Sequence, residues 1–232
     1  MKLLNTKSSY KTKEKQILFG SDLSQVVDII RKDNELLQSI SSIKEKHQWH
    51  VIAVVIPEMI RWNMFQDIID TFMDENIYIS FGKGDCPIGM FQMRASFIDT
   101  MERYVSSNKL VECYPIFISA ENEKDVRRER LRRLKRKEWQ VRYAWTYWQI
   151  VNHRFIGLDF KNAIEQIRFF ATAYNYGFKE PVQSIRKWEN KKAFPYGPKY
   201  TGEQIAYADL SIEFLKKYTG NDFKTKRLTT KI

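Results

Sequence analysis

Glu58 is the side chain in this sequence best suited to acid–base chemistry. It stands in an apolar run, with V-V-I at 54–56 before it and Met59 and Ile60 after it. Because burial removes water from the charged form, such surroundings raise the pKa of a carboxyl group. A glutamic acid that stays protonated near neutral pH can protonate the oxygen of a breaking glycosidic bond. The alternatives are a glutamate on a helix surface or one paired with Arg61.

Two later segments provide candidate partners for this glutamate. Residues 88–93 spell I-G-M-F-Q-M, and residues 173–177 spell A-Y-N-Y-G. Following P-E-M-I-R at 57–61, they resemble the motifs of the lysozyme-like superfamily shared by goose-type lysozymes and soluble lytic transglycosylases. Each segment alone is common, so the resemblance depends on their shared order and compatible spacing. It covers residues 48–217.

The resemblance implies an activity and a set of substrate contacts. Glu58 would be the acid/base that cuts the β-1,4 bond between N-acetylmuramic acid and N-acetylglucosamine in peptidoglycan. Gly89, Phe91 and Gln92 would form one wall of a cleft, with the glycine allowing close sugar approach and the glutamine supplying a polar contact. The sequence departs from the family just before this glycine, because C-P at 86–87 stands where a serine is often found.

Tyr174 and Asn175 match a pair whose tyrosine hydroxyl, in the family, lies near the catalytic glutamate and orients it or the substrate. Both segments also have structural explanations. The apolar residues of 88–93 suit a core and Gln92 suits a turn. Asn175 and Gly177 both suit the left-handed conformation that ends a helix. The structural and functional roles are compatible.

The number of carboxylates decides the reaction type. Hydrolysis normally uses two, whereas a lytic transglycosylase uses one glutamate, first as acid and then as base, with the muramoyl 6-hydroxyl as internal nucleophile. Asp85 is the acidic residue of the predicted turn, and Asp67 and Asp70 follow Glu58 on the next helical segment. A Gly-Asp pair is common turn chemistry, so we interpret Asp85 as a turn residue. The sequence therefore favours transglycosylation, with Asp85 as the possible second carboxylate.

The formal net charge of +11 and the pI of about 9.5 imply attraction to polyanions, which include nucleic acid, anionic lipid and the bacterial wall. An arginine-rich run at 127–137 could follow a phosphate backbone. Its leucines, Leu131 and Leu134, fall at core spacing, and no base-reading motif accompanies it. We therefore expect a solvated helix face and do not favour nucleic acid.

Neither a metal site nor a cofactor site is predicted. His47, His50 and His153 form no ligand cluster with Cys86 or Cys113, and the sequence has no phosphate-binding glycine loop. Two cysteines imply no disulfide framework, although the count allows a single bridge.

The beginning of the sequence shows no conventional export signal, since M-K-L-L turns polar at once. No apolar run reaches the 18 or so residues of a membrane span, and the most apolar one, 51–56, is far shorter. A peptidoglycan substrate would nevertheless place the protein's action in the periplasm or the cell wall. The route there and the oligomeric state are left open.

The predicted fold is mainly α: a lysozyme-like helical domain at 48–220 with a short β-hairpin or extended loop, after an N-terminal arm and helix at 1–47. A basic tail follows at 221–232. Apolar periodicity predicts helices over 23–46, 64–73, 97–105, 122–154 (one helix, or two with a bend), 161–176 and 202–218. Residues 49–56 fit a buried strand or helix, and the resemblance favours the helix. Residues 77–81 are strand-like before a turn at 82–85, and 110–120 is irregular around Pro115.

Two functional hypotheses remain. One is a peptidoglycan-cleaving enzyme with Glu58 as its acid/base. The other is a non-catalytic module of the same fold that binds wall polymer, nucleic acid or a protein partner through its basic surface.

Overall fold

The computed structural model describes the backbone of residues 21–69 and 75–218 and the side chains of 21–64 and 78–218. This part of the chain is mainly helical, as the sequence predicts. The predicted N-terminal arm, up to residue 20, and the predicted basic tail at 221–232 lie outside the described residues. So do the side chains of Asp67 and Asp70.

The α-helices run in chain order around one core. They are α1 (21–32), α2 (Asn34–Ser41), α3 (Gln48–Ile69), α4 (Glu75–Phe81), α5 (Ala95–Ser107), α6 (Glu123–Leu134), α7 (Lys137–Arg154), α8 (Ala163–Tyr176), α9 (Val182–Trp188) and α10 (Tyr207–Tyr218). Two 3₁₀ turns, Glu45–His47 and Val111–Ile116, lead into α3 and follow α5. Strands β1 (Lys192–Phe194) and β2 (Ile205–Ala206) pair antiparallel.

Helix α3 forms the centre of the molecule. The residues at 51–56 are all apolar and at most 1% exposed, so this part of the helix is apolar and buried on all sides, and α3 packs against α7, α8 and α10. A helix that is apolar on every side is stable only when neighbours surround it. The uncertain run at 49–56 is thus a buried helix. Pro57 lies inside it and cannot donate to a preceding carbonyl, while the nearby Val54 carbonyl accepts a hydrogen bond from the Tyr207 hydroxyl at 3.1 Å.

The predicted strand at 77–81 is wrong, because these residues belong to helix α4. Of the predicted hairpin or extended loop, an extended segment is present after the helix. Tertiary contacts override the local strand preference. Arg127 of α6 donates from Nε to the Ile79 carbonyl at 2.8 Å, near the C-terminal end of α4. Gly82 then takes a left-handed conformation, with φ of +67°, just after the helix. The short sheet instead joins residues before and after a loop at 195–204.

The predicted N-terminal helix is divided in two at Asp33. Its carboxylate accepts a hydrogen bond from the Leu36 N–H at 3.0 Å, which caps α2, and it forms an ion pair with Lys137 at 2.7 Å. Helix α2 is thereby joined to the start of α7. The predicted 122–154 helix is likewise two helices, separated at 135–136.

We expect Asp33→Ala to lower the free energy of unfolding by about 1–2 kcal/mol, because it removes both the cap of α2 and the ion pair with Lys137. Asp33→Asn is the matched control, since an asparagine side chain still caps a helix and should cost less than about 1 kcal/mol. Urea unfolding measures both. Equal losses in the two variants would show that the ion pair, rather than the cap, stabilises this junction.

Candidate active site

The segment at 88–93 forms a tight loop closed on itself. Ile88 and Met93 exchange two backbone hydrogen bonds, at 2.9 and 3.2 Å. Gly89 and Gln92 both have positive φ, +68° and +49°, and the Gln92 amide donates to the Gly89 carbonyl at 2.7 Å. Gln92 is therefore a turn residue, which is the structural role predicted for it, and it also lines the cleft described below.

Gln140 of α7 holds this loop in place, and sequence reasoning missed it. Its side-chain oxygen accepts from the Phe91 N–H at 2.8 Å, and its side-chain nitrogen donates to the Leu134 carbonyl at 2.7 Å. Gln140 is only 2% exposed. A Cβ on Gly89 would collide with the Gln140 amide, so the glycine is required for this packing. The sequence signal that could have identified Gln140 is a glutamine on the apolar face of a helix, because a buried amide needs hydrogen-bond partners.

Glu58 is buried at 4% exposure on α3. Burial raises the pKa of its carboxyl group above the ordinary value of 4.5, while the charge and hydrogen bonds of Arg61 oppose the rise. Arg61 donates from one nitrogen to both carboxylate oxygens, at 3.0 and 2.7 Å. Glu58 is therefore buried, as its apolar neighbours predict, and it is also paired with Arg61, which was one of the alternatives. It is not a glutamate on the helix surface.

Tyr174 and Asn175, at the end of α8, come together with Glu58 and the loop. The Tyr174 hydroxyl donates to the Phe91 carbonyl at 3.0 Å, and a side-chain hydrogen bond from Asn175 lowers the pKa of Glu58. Burial, and secondly the charge of Glu58, raise the pKa of the Tyr174 hydroxyl well above 10. Tyr174 therefore stays protonated at neutral pH, and its hydroxyl proton is used in the hydrogen bond to the Phe91 carbonyl.

The other two residues predicted to form the cleft wall, Phe91 and Gly89, do not line the cleft. The ring of Phe91 is fully buried, and the backbone of this residue bonds to Tyr174 and Gln140. Gly89 packs against Gln140. Of the three predicted wall residues, Gln92 is the one that lines the cleft.

These elements enclose an open cleft of about 450 Å³ with Glu58 in its lining. Among the described residues Glu58 is the only acidic side chain of this lining, and the cations outnumber it. The lining comprises Glu58, Arg61, Pro87, Gln92, Met93, Arg94, Ser96, Phe97, Thr100, Tyr174, Asn175, Tyr176, Gly177, Phe178 and Lys179. A cationic cleft attracts an anionic or partly anionic ligand.

Asp85 lies outside this lining, and its oxygens accept hydrogen bonds from other residues. Its carboxylate accepts from the Ser96 N–H at 2.9 Å and from the Ser96 hydroxyl at 2.5 Å, at the start of α5. Its backbone carbonyl accepts from Arg94 at 2.8 Å. These bonds make Asp85 a cap for α5, which is a structural role but a different one from the turn residue that the sequence predicts.

The arginines of the run at 127–137 are paired with neighbouring carboxylates. Each of its six arginines has an ion pair: Arg127 with Glu123, Arg128 with Asp125, Arg130 with Glu102, Arg132 and Arg133 with Glu129, and Arg136 with Glu138. Paired arginines have less charge available for a phosphate backbone. The run therefore behaves more as a helix surface than as a nucleic-acid groove.

Within the described part of the chain, no three histidine, cysteine or acidic side chains are grouped so as to hold a metal ion. Over the same residues no disulfide joins Cys86 to Cys113, and no helix is long and apolar enough to cross a bilayer. Burial raises the pKa of the Cys113 thiol to about 11, so this thiol is not a nucleophile at neutral pH.

No family model matches the chain. Neither does any curated protein or solved structure. The class of site is therefore argued from its own geometry: a desolvated carboxyl group beside a tyrosine and an asparagine, in an open and cationic cleft.

Gln140→Leu should destabilise the protein by about 2–6 kcal/mol, because it leaves the Phe91 N–H and the Leu134 carbonyl buried without partners. Gln149→Leu, on the same helix but bonded to the exposed Glu112, should change stability by less than about 0.5 kcal/mol. Thermal or urea unfolding of both variants measures the difference. Similar losses for the two would mean that Gln140 does not hold the loop.

The burial of Glu58 should also appear in the pH dependence of stability. A carboxyl group whose pKa is raised by folding binds more protons in the folded state, so its effect on stability becomes less favourable as pH rises above about 4.5. Relative to Glu58→Gln, the parent should therefore lose stability between pH 4.5 and 7, by about 1.4 kcal/mol per unit of pKa difference. Urea unfolding across this range measures it. A relative gain instead would mean that the Arg61 pair outweighs desolvation.

Proposed function

We propose that this protein cleaves peptidoglycan at the β-1,4 bond between N-acetylmuramic acid and N-acetylglucosamine, by lytic transglycosylation. The observation that carries the proposal is Glu58, a carboxyl group with a raised pKa in the lining of an open cleft. The resemblance of three segments to the lysozyme-like superfamily supplies the substrate. The cleft brings together Glu58, Gln92, Tyr174 and Asn175 from those segments.

The proposed reaction uses one carboxyl group twice. Protonated Glu58 gives its proton to the bridging oxygen as the bond to the muramoyl C1 breaks. The resulting carboxylate then takes the proton of the muramoyl 6-hydroxyl, whose oxygen bonds to C1 and forms a 1,6-anhydro ring. Glu58 is protonated again at the end, and no water is consumed. Tyr174, tied to the Phe91 carbonyl, keeps the wall of the cleft in place beside it.

The choice of transglycosylation over hydrolysis follows from the acidic residues of the cleft. A second carboxylate would be needed to hold or activate water in ordinary hydrolysis. In the described lining Glu58 is the sole acid, and Asp85 is bonded to Ser96 and Arg94. An internal hydroxyl nucleophile removes the need for that second group.

The cations of the cleft suit a peptidoglycan strand. Arg61, Arg94 and Lys179 all line it. The lactyl-linked peptide stems of peptidoglycan carry carboxylates, and cations along a cleft draw such a strand toward it. The same attraction would operate in the periplasm or the cell wall, where we place the protein's action.

A second candidate function is a non-catalytic module that binds the same polymer. The observation in its favour is the ion pair between Glu58 and Arg61, with a shortest nitrogen–oxygen distance of 2.7 Å. A carboxylate held by an arginine is stabilised in its charged form, which opposes its use as an acid. Binding without cleavage is the property that separates this candidate from the enzyme.

The deciding experiment incubates the purified parent and Glu58→Gln with peptidoglycan sacculi and analyses the soluble fragments by mass spectrometry. Glutamine keeps the shape of the side chain but cannot serve as the acid, so fragment release should fall about a hundredfold or more. Glu189→Gln is the matched control. Glu189 is also buried, has a raised pKa and pairs with an arginine three residues away, Arg186 at 3.0 Å, but it is not part of the cleft lining.

Three results are informative. Fragments with anhydromuramoyl ends, released by the parent and by Glu189→Gln but not by Glu58→Gln, would support transglycosylation. Reducing ends would instead indicate hydrolysis. Retained binding to sacculi with no release by the parent, under conditions where a control enzyme digests them, would favour the binding module.

A further inference from the structure

A second pocket, of about 580 Å³, shares no lining residue with the cleft at Glu58. Its lining includes one face of α7, where Trp145, Trp148, Gln149 and Asn152 recur at helical spacing. Its size lies within the range of small-molecule sites, about 300–1,000 Å³. The peptidoglycan proposal makes no use of this pocket.

Three lysines line this pocket as well. Lys44 and Lys46 come from the segment leading into α3, and Lys109 from the end of α5. Among the described residues no carboxylate forms an ion pair with any of the three, in contrast to the arginines of α6. The one acidic lining residue, Glu112, accepts a hydrogen bond from Gln149 at 3.2 Å. Like charges around one opening repel each other, and a bound anion would relieve that repulsion.

Lys109 occupies a backbone position where glycine is usual. It follows the last residues of α5 with φ of +52°, and its N–H bonds to the Ser106 carbonyl at 3.2 Å. The next N–H, of Leu110, bonds to the Val105 carbonyl at 3.1 Å, which completes the standard helix-ending motif. A left-handed lysine is strained, and such strain is often found at binding sites. This lysine thus occupies the pocket wall despite an unfavourable backbone conformation.

Aromatic rings also line the pocket. The His47 ring lies 5.8 Å from that of Trp145 and 5.7 Å from that of Trp148, measured between centroids. Trp145 is half-buried and contributes a flat apolar surface to the lining. Burial lowers the pKa of His47 below 6.5, so the charge of the pocket at neutral pH comes from its lysines. Flat rings and lysines at one opening suit a ligand that has both a cyclic part and an anionic group.

We propose that this pocket binds a small organic phosphate, with the phosphate between Lys44, Lys46 and Lys109 and the cyclic part against Trp145. Lysine binds phosphate as a point charge with three donors, so three of them can surround one anionic group. The pocket is a second site, independent of peptidoglycan cleavage.

Titration calorimetry with ADP, adenosine and inorganic phosphate tests this assignment, at about 0.15 M salt to limit non-specific attraction. ADP should bind the parent protein at least about tenfold more tightly than either part alone, because it uses the lysines and the ring together. Lys109→Gly should weaken ADP binding by roughly fivefold or more. The same change should not lower the melting temperature, since glycine is the usual residue at this helix-ending position. A loss of binding in a stable variant cannot come from unfolding.

The matched control is Lys179→Ala, which removes a cation from a separate cationic opening, the cleft at Glu58. ADP affinity should be unchanged in this variant. Loss of affinity there, with Lys109→Gly unaffected, would place ADP in the cleft and overturn the inference. It would also be overturned by inorganic phosphate binding as tightly as ADP, or by no measurable ADP binding to the parent.

Discussion

The desolvation of Glu58 is the constraint on which the rest of the site depends. A carboxyl group is useful as an acid near neutral pH only when water is kept from it, and that requires a helix surrounded by neighbours. Helix α3 meets the requirement because α7, α8 and α10 pack around it. The same packing that stabilises the core therefore raises the pKa of the Glu58 carboxyl group.

Arg61 lowers the pKa of Glu58, whereas burial raises it. The balance between these two influences sets how readily Glu58 can act as an acid. Desolvation is the larger influence, so the pKa of Glu58 is raised despite the ion pair. A ligand group that competes for Arg61 would weaken the pair and shift the balance further toward the protonated acid. The pairing is thus compatible with catalysis as well as with a binding role.

Charge is distributed very unevenly over this basic protein. The arginines of α6 are matched by carboxylates on the same helix or its neighbours, so their charge contributes chiefly to local structure. In the Glu58 cleft Arg61 is likewise paired, with Glu58, whereas the three lysines of the α7 pocket have no ion pair among the described residues. Net charge alone could not reveal this difference, because ion pairing depends on which side chains the fold brings together.

The sequence by itself determined the mainly helical class, because apolar periodicity recurs along the chain. It left 49–56 as a buried strand or helix, and the packing of α7, α8 and α10 around α3 decided for the helix. Its motifs predicted Tyr174 and Asn175 as partners of Glu58, and all three line one cleft. Only the tertiary structure decided that 77–81 is a helix, since Arg127 stabilises its end from a distant element. It also decided that Gln140 supports the 88–93 loop and that Asp85 caps α5. Such roles depend on contacts between residues far apart in sequence. Local sequence patterns do not specify which distant groups will be in contact.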